Sequence, residues 1–416
     1  MHSQVLLIAG LLLFDVVLFY LLYQKLKALT PAHRKLISVL YWVVSVWVLA
    51  CFWFLDGIFL HISSLVIRRS IIASIALTNI FQVLLAIYLV LDRLLVRIYP
   101  LLGNIFKNPS PSQPKDVYGT PTMSRKKFLH RAAVMAATFP VAVKGFNIIN
   151  RAYDYQVRKR RIALPNLPSS FDGITIGQIS DIHTGSFFNN GAVKGGVDML
   201  MQEKTDMIFF TGDLVNQESK EAKDYIPIFN KVKAPLGVYS VLGNHDYGDY
   251  RAWSSAQAKR QNLMDMKTIH KELGWQLLCN ENTNIKSGQD QMAILGVENW
   301  GIKRFSKYGE LAKTHQGTEE AAVKLLLSHD PSHWEAEIQN YPDIDVTFSG
   351  HTHGFQFGVE LGNFAWSPAQ YLYKQWAGLY QEGSQFLYVN RGYGFIGMPG
   401  RIGINPEISI FELVKA

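Results

Sequence analysis

The chain has 416 residues, of which 48% are hydrophobic, and its formal net charge is +8. Residues 1–150 carry 15 Lys and Arg against 4 Asp and Glu, whereas residues 151–416 carry 26 against 29. Because the basic excess belongs to the N-terminal part, the charge argues against a nucleic-acid-binding surface on the C-terminal part. The two cysteines, Cys51 and Cys279, are too few and too far apart for a disulfide framework.

The first 107 residues contain three long apolar runs, Val5–Tyr23, Leu36–Leu55 and Ile71–Leu91. Each has about the 20 residues that a helix needs to cross a bilayer. A buried core helix is the alternative for one such run, but three of them favour membrane spans. We therefore predict a three-helix transmembrane region over residues 1–107, with the lipid bilayer as partner. The acidic residues Asp15 and Asp56 lie in or beside these runs, and their roles stay open.

Residues 108–131 are rich in proline and polar residues and are predicted to be a linker. The linker includes Ser124–Leu129, which resembles a twin-arginine export signal with Lys126 in place of the second arginine. Basic residues that flank a cytoplasmic helix end are the alternative interpretation. Residues 132–149 are predicted to be a fourth transmembrane or signal-type segment, although Pro140 and Lys144 interrupt the run.

Positive charges predict the orientation in the membrane. The two loops assigned to the cytoplasm hold 12 Lys and Arg, against 7 on the opposite side. The positive-inside rule then places residues 150–416 outside the cytoplasm, on a protein integral to the inner or plasma membrane. The basic cluster Arg158–Arg161 opposes this arrangement. It is interpreted either as solvated surface or as a contact with anionic lipid headgroups.

The pattern changes after about residue 170. Two stretches, Gly191–Glu203 and Ser219–Val232, are predicted to be helices. Six short apolar runs have the length of buried strands; they are Ile174–Ser180, Met207–Thr211, Gly237–Leu242, Met292–Val297, Val323–Ser328 and Val346–Ser349. Strands that alternate with helices indicate an α/β domain, in which chemistry collects on loops past the strand ends.

Polar clusters follow five of these six runs. A single Gly-Asp or a single histidine at a strand end is usually structural, but five ordered clusters indicate a functional site. They are Asp181-Ile182-His183, Gly212-Asp213, Gly243-Asn244-His245-Asp246, His329-Asp330 and Gly350-His351-Thr352-His353.

This series resembles the signature of the calcineurin-like metallophosphoesterases over residues 170–415. The segment Asn390–Gly394, followed by Pro399–Gly403, is similar to the membrane-associated or exported bacterial branch of that family. The resemblance implies a four-layer α/β/β/α sandwich over residues 150–416. It also implies a metal-dependent phosphoric ester hydrolase, either a phosphodiesterase or a phosphatase.

The resemblance further implies two divalent metal ions, and carboxylates with imidazoles suit Mn, Fe or Zn. It assigns Asp213 to both metals, so that a hydroxide between them would be the nucleophile. The remaining ligands would be Asp181, His183 and His353 for one metal and Asn244, His329 and His351 for the other.

Further residues receive roles beside the metals. His245 would donate a proton or hydrogen bond to the substrate, and Asp246 would orient His245. Asn216, Arg391 and Arg401 are candidates for substrate binding, with a loop cap or a structural role as the alternative. The aromatic residues after the last histidines are interpreted as core or as a membrane-facing surface; they are Trp366, Tyr371, Tyr373, Trp376 and Tyr380.

Two classes of function remain open. The first is an enzyme that cleaves phosphate ester or pyrophosphate bonds, with envelope lipids or nucleotides as substrates. The second is a non-catalytic membrane scaffold or sensor that binds metal in the same fold. A degenerate scaffold usually loses ligands, whereas every expected ligand is present here, which favours the enzyme.

Overall fold

A computed structural model describes residues 2–61, 75, 78–79, 81–83, 85–94, 151–301, 305–362, 364–398 and 400–416. The chain divides into two compact units, Met1–Asn147 and Ile148–Ala416. The predicted linker at residues 108–131, its export-like motif and the predicted segment at residues 132–149 lie outside the described residues.

The N-terminal unit contains helices α1 (His2–Leu26) and α2 (Pro31–His61), and residues 85–94 are also helical. Two described helices have windows long and apolar enough to cross a membrane, Ala9–Leu26 and Pro31–Ala50. Of the third predicted span, only part lies within the described residues.

Some polar side chains within the apolar helices of this unit are buried. Asp15 is buried, and its carboxylate accepts hydrogen bonds from Tyr41 at 3.2 Å and from Gln82 at 2.8 Å. Apolar side chains such as Leu13 are exposed instead. An apolar exterior around satisfied polar groups is what a lipid environment requires.

The C-terminal unit contains two six-stranded sheets and a separate two-stranded hairpin. In chain order the strands are β1 (Gln156–Leu164), β2 (Thr175–Ile179), β3 (Met207–Phe210), β4 (Val238–Ser240), β5 (Gln276–Leu277), β6 (Glu281–Ser287), β7 (Asp290–Gly296), β8 (Val323–Leu327), β9 (Val346–Ser349), β10 (Val359–Leu361), β11 (Phe364–Trp366), β12 (Gly378–Glu382), β13 (Gln385–Val389) and β14 (Glu407–Lys415). The first sheet has the order β1-β14-β2-β3-β4-β5 and the second β12-β13-β9-β8-β7-β6, while β10 and β11 form the hairpin.

The α-helices of this unit are short apart from two of them. They are α3 (Asn190–Gln202), α4 (Ile226–Phe229), α5 (Ala256–Leu273), α6 (Leu311–His315) and α7 (Ser332–Ala336). Short 3-10 segments occupy Ser169–Phe171, Thr184–Ser186, Ser219–Tyr225, Ile338–Asn340, His353–Gln356 and Pro368–Tyr371.

Successive side chains of a strand point to opposite faces, and this alternation builds four layers. Phe209 faces the second sheet, where its ring lies 5.0 Å from that of Phe348. Phe210 faces the other way and joins the cluster that includes residues of α3 and α5. On the outer face of the second sheet, Leu326 packs in a cluster with Trp334 of α7. The α/β/β/α architecture predicted from the resemblance is confirmed.

All six predicted strands are present, with ends shifted by at most two residues. The helix predicted over Ser219–Val232 is wrong in detail, because a 3-10 turn occupies Ser219–Tyr225 and only the four residues of α4 are α-helical.

The basic cluster Arg158–Arg161 lies on the edge strand β1, which pairs in parallel with β14. Three of its members form ion pairs: Arg158 with Glu360 and Glu407, Lys159 with Glu203, and Arg161 with Glu412. Within the described residues, these pairs support the interpretation of the cluster as protein surface.

Candidate metal centre

The predicted ligands lie at the carboxyl ends of parallel strands. Strands β2, β3 and β4 are parallel in the first sheet, as are β8 and β9 in the second. Because the ends of parallel strands meet at one edge of a sheet, their following loops converge. The structure brings together all seven predicted ligands, and six of them are buried; they are Asp181, His183, Asp213, Asn244, His329, His351 and His353.

One group of ligand atoms belongs to Asp181, His183 and His353, and these atoms lie within 4.8 Å of one another. The Nε2 atoms of the two histidines are 3.1 Å apart, and Nε2 of His353 is 3.2 Å from Oδ1 of Asp181. Two imidazole nitrogens and a carboxylate oxygen at such distances form a donor set that suits a divalent transition metal.

A second group contains Asp213, His329 and His351, again within 4.8 Å. Asn244 joins it, because its Oδ1 lies 3.2 Å from Nε2 of His329. Oδ2 of Asp213 is 3.2 Å from Nε2 of His329 and 3.5 Å from Nε2 of His183 in the first group. The Asp213 carboxylate therefore lies between the two groups.

Backbone carbonyls orient two of the histidines. Nδ1 of His183 is 3.2 Å from the carbonyl of Val215, and Nδ1 of His329 is 2.7 Å from that of Thr211. A proton held on Nδ1 by such a bond leaves the lone pair of Nε2 directed at the cluster, as metal-binding histidines require.

The cluster buries charges that need a cation. Asp181 and Asp213 are 0% and 1% exposed. Burial alone would raise the pKa of Asp213, but His329 and His245 hold it well below its usual value. Burial would likewise lower the pKa of His329, but Asp213 and Asp181 raise it to about 10. Burial dominates at His183 and lowers its pKa to about 3, so that this imidazole is neutral. Buried carboxylates beside a neutral imidazole fit a metal ion.

The backbone of the cluster is strained. Asp181, His183, Asp213, His351 and His353 all have positive φ angles, between 50° and 72°. Non-glycine residues rarely adopt this region, and such strain concentrates at functional sites. Gly350 lies so close to the cluster that a Cβ there would meet Oδ2 of Asp181 at 2.2 Å. The Gly-His-Thr-His motif thus needs glycine for this close approach.

His245 and Asp246 do not interact as predicted. Nδ1 of His245 bonds to the carbonyl of Asn216 at 2.7 Å, and the His245 backbone N–H donates to Oδ1 of Asp213 at 2.8 Å. The Asp246 carboxylate instead accepts bonds from four backbone N–H groups, those of Asp213, Leu214, Val215 and Gly243. Asp246 thus joins the loops after β3 and β4, and the Asn216 carbonyl contacts the His245 ring. The orienting role of Asp246 stays a prediction that these contacts do not favour.

The three predicted substrate-binding residues, Asn216, Arg391 and Arg401, are bonded to other groups of the protein. The side chain of Asn216 bonds to Ser186 at 3.0 Å, as the loop-capping alternative expects. Arg391 is 6% exposed and forms ion pairs with Glu407 at 2.7 Å and Glu360 at 2.8 Å. The geometry does not support a substrate contact for either residue.

Arg401 is completely buried behind His353. One of its terminal nitrogens lies 3.4 Å from Nδ1 of His353 and donates to the carbonyls of Gly392 and Gly394. Its guanidinium therefore supports the cluster from the protein side, which agrees with the structural alternative.

A cavity of about 450 Å³ opens over the two groups. Sequence reasoning did not assign Phe305, Phe355, Gln356 or Ile396 to it, because none lies in a polar motif. Tyr373 also lines it, and its hydroxyl is 2.8 Å from Nε2 of His351. The lining residues are His183, Asp213, Asn244, His245, Phe305, His351, Thr352, His353, Phe355, Gln356, Tyr373 and Ile396.

Comparison with known proteins agrees with the fold. The sequence profile of the family described as calcineurin-like phosphoesterases matches residues 174–355. Residues 174–355 therefore form a calcineurin-like metallophosphoesterase domain, and a domain of this kind supports a metal-dependent phosphoester hydrolase.

Three relatives show the range of similar proteins, all at 28% identity. The uncharacterized metallophosphoesterase YkuE of Bacillus subtilis matches 70% of this chain and 98% of its own length. A transmembrane protein with metallophosphoesterase domain from Bos taurus matches 72% of this chain, which spans 65% of that relative. The UDP-2,3-diacylglucosamine pyrophosphatase LpxG of Chlamydia trachomatis matches 55% of this chain and 81% of its own. Together with the two apolar helices, the transmembrane relative indicates membrane association.

Proposed function

We propose that this protein is an integral membrane phosphoesterase that uses two divalent metal ions to cleave phosphate ester or pyrophosphate bonds of lipid-linked substrates. The observation that carries the proposal is the position of Asp213, whose Oδ2 lies within 3.5 Å of a histidine nitrogen in each of the two ligand groups. A shared carboxylate is what a site for two neighbouring cations needs.

In this proposal one cation is held by Asp181, His183, Asp213 and His353. The other is held by Asp213, Asn244, His329 and His351. When bound, Mn, Fe or Zn would lower the pKa of a water molecule and neutralise charge on the phosphoryl oxygens. The amide of Asn244 is turned correctly for this role, because its nitrogen donates to Tyr250 at 3.0 Å. Its oxygen is thereby left toward the cluster.

His245 is the proposed proton donor. Its ring lies 5.1 Å from that of His183, and His245 lines the cavity. The bond from Nδ1 to the Asn216 carbonyl leaves Nε2 available for a substrate. A proton delivered from this nitrogen to the leaving oxygen is general acid catalysis.

Two observations support a lipid-linked substrate. The chain has helices that are able to cross a membrane, so the C-terminal unit works close to lipid. The relative from Chlamydia trachomatis is named as a pyrophosphatase of a diacylated sugar nucleotide. A non-catalytic scaffold that binds metal is the second candidate, but the cavity over both ligand groups leaves room for a substrate and favours the enzyme.

The first test measures activity and metal content together. The full chain in detergent with Mn²⁺ should hydrolyse bis(p-nitrophenyl) phosphate, and a chelator should abolish the reaction. Asp213→Asn should lose metal from both groups and fall to the background rate, because both share this carboxylate. Asp198→Asn is the matched control, since this exposed carboxylate lies on α3 and pairs with its helix neighbour Lys194. Full activity of Asp213→Asn would exclude the two-metal assignment, and a metal-loaded chain without turnover would favour the scaffold.

The second test concerns orientation. We propose that the C-terminal unit lies outside the cytoplasm, as the distribution of Lys and Arg predicts. A reporter that is active only outside the cytoplasm should be active when fused after Ala416 and silent when fused after Pro111. A silent Ala416 fusion, with the domain resistant to protease added from outside, would place the site in the cytoplasm.

A further inference from the structure

The hairpin β10–β11 exposes apolar side chains to the outside and turns a charged side chain toward the protein. In its register Val359 lies opposite Trp366 and Leu361 opposite Phe364, so these four side chains share one face. Val359, Leu361 and Phe364 are 42%, 70% and 60% exposed. The apolar face of the hairpin is therefore directed away from the protein.

On the other face of the hairpin, Glu360 points toward the protein, whereas its cross-strand partner Ala365 is exposed. Glu360 bonds to Arg158 at 2.6 Å and to Arg391 at 2.8 Å, and the Glu360 side chain is only 18% exposed. A hairpin that packs on a core normally turns its apolar side chains inward and its polar ones to water. Because two ion pairs fix Glu360 on the inside, the exposed apolar face is held in place.

The apolar surface continues toward the metal centre. The ring of Phe357 lies 6.4 Å from that of Trp366, and Phe355, which is 41% exposed, lines the cavity. The turn His353–Gln356 also packs against Pro368–Tyr371, and the side chains of Tyr371 and Leu372 at the end of that segment are exposed. We name this surface the apolar rim; its residues are Phe355, Val359, Leu361, Phe364, Tyr371 and Leu372.

We propose that the apolar rim inserts into the surface of a lipid bilayer and presents lipid headgroups to the cavity. A bilayer is the occupant because the same chain has two helices that are able to cross one. Tyr371 of the rim and the adjacent Trp366 are aromatic residues of the types that favour the boundary between headgroups and acyl chains. The presentation of headgroups rests on the proposed function, whereas the insertion does not.

The insertion is tested without any catalysis. The full chain with Cys51→Ser and Cys279→Ser receives one cysteine, through Leu361→Cys, and an environment-sensitive fluorophore. It is reconstituted into phosphatidylcholine and phosphatidylglycerol vesicles with or without spin-labelled acyl chains. The matched control is Met264→Cys, because Met264 is 63% exposed on α5. We expect the spin-labelled lipid to quench the fluorophore at position 361 and not at position 264.

Two results would overturn the insertion. In the first, aqueous iodide quenches both positions equally while the spin-labelled lipid quenches neither, which means that the rim faces water. In the second, protection of position 361 depends on the protein-to-lipid ratio and persists in detergent, which means that a second copy of the chain covers the rim.

A kinetic test addresses the presentation of headgroups. Leu361→Ser combined with Phe364→Ser should lower hydrolysis of a phosphatidyl phosphodiester in vesicles by about tenfold or more, because each large apolar side chain contributes at least that factor when buried. Hydrolysis of bis(p-nitrophenyl) phosphate should stay unchanged. Met264→Ser combined with Leu236→Ser, two exposed side chains outside the rim, should change neither rate.

The two proposals fail in different ways. If the unmodified chain hydrolyses neither substrate, the proposed function is wrong and the quenching result still decides the insertion. If both substrates are hydrolysed but the serine substitutions slow them equally, the rim does not present lipid and the inference is wrong.

Discussion

Two clusters of buried charge lie in the same domain and are neutralised differently. In the metal centre, Asp181 and Asp213 face histidines, and no Lys or Arg forms an ion pair with either carboxylate in the part of the chain that is described. In the second cluster, Glu407 is 0% exposed and is paired with Arg391 and Arg158. We name the second cluster, formed by Arg158, Glu360, Arg391 and Glu407, the arginine cluster.

The difference between the clusters distinguishes a site that can bind a cation from a buried ion-pair network that stabilises the fold. A guanidinium occupies the lone pairs of its carboxylate permanently, because arginine does not lose its proton. Histidine can release its proton and then offers a lone pair of its own, so that carboxylate and imidazole can both bind a cation. Buried carboxylates therefore indicate a metal centre only when their partners, such as histidines, can release a proton and bind the cation themselves.

The largest kinetic effect in the chain, apart from that of a ligand, is expected at His245. His245→Ala should leave the metal content unchanged and slow turnover by about 10²–10⁴-fold, the usual contribution of a positioned proton donor. The loss should shrink for substrates whose leaving group has a low pKa, because such groups need less protonation. Metal analysis by mass spectrometry and a series of aryl esters measure both. Loss of one metal ion would identify His245 as a ligand instead.

The metal centre was predictable because its ligands lie in short sequence motifs that directly follow predicted strands. Each motif occupies a few residues directly after an apolar run, and the parallel order of the strands brings the runs to one edge. Asp246 shows the limit of this reasoning. Its neighbour in sequence is His245, but its side chain turns toward backbone N–H groups of two loops. Adjacent residues do not reveal the direction of a side chain.

The arginine cluster and the apolar rim were not predictable from local patterns. Arg158 and Glu360 are 202 positions apart, and nothing near either residue indicates the partner. Arg391 lies in a glycine-rich segment and was a candidate for substrate binding. In the folded domain its guanidinium instead forms ion pairs with Glu360 and Glu407. The rim likewise depends on which face of β10–β11 is turned outward, and the Glu360 ion pairs determine that face.

Breaking the arginine cluster should affect stability more than chemistry. Glu407→Gln leaves the buried guanidinium of Arg391 with less compensation, and we expect the free energy of unfolding to fall by about 3–5 kcal/mol. Urea titration of the full chain in detergent, followed by near-UV circular dichroism, measures this. Glu412→Gln on the same strand is the matched control. Its pair with Arg161 is exposed on both sides and should contribute about 0–1 kcal/mol.

The ion pairs of Glu407 with Arg391 and Arg158 predict that stability depends on pH. Burial alone would raise the pKa of Glu407, but Arg391 and Arg158 lower it below the usual 4.5. A carboxylate with a lowered pKa in the folded state stabilises the protein above its unfolded pKa, and this contribution disappears as the pH falls through the folded value. The difference in unfolding free energy between the unmodified chain and Glu407→Gln should therefore narrow below about pH 4.5. A difference that stays constant there would mean that Glu407 does not act as a charged partner.

The smallest effect is expected where a neutral hydroxyl supports the metal centre. The Tyr373 hydroxyl lies 2.8 Å from Nε2 of His351, whose Nδ1 is 3.3 Å from His329 and so faces the ligands. Oδ2 of Asp330 lies farther from the same Nε2, at 3.7 Å. Because an outer partner fixes the ring of a ligating histidine, Tyr373→Phe should weaken binding at the second metal by about 10–100-fold.

A titration of activity and bound Mn²⁺ against the free ion separates this role from a purely structural one. Tyr373→Phe should need more Mn²⁺ for half-maximal activity and recover most of its turnover when saturated, because only the orientation of a ligand is disturbed. Tyr371→Phe, which removes a hydroxyl two residues away on a side chain that is 74% exposed, should follow the unmodified titration. If both variants titrate alike, Asp330 rather than Tyr373 holds His351, and Asp330→Asn should then show the shift.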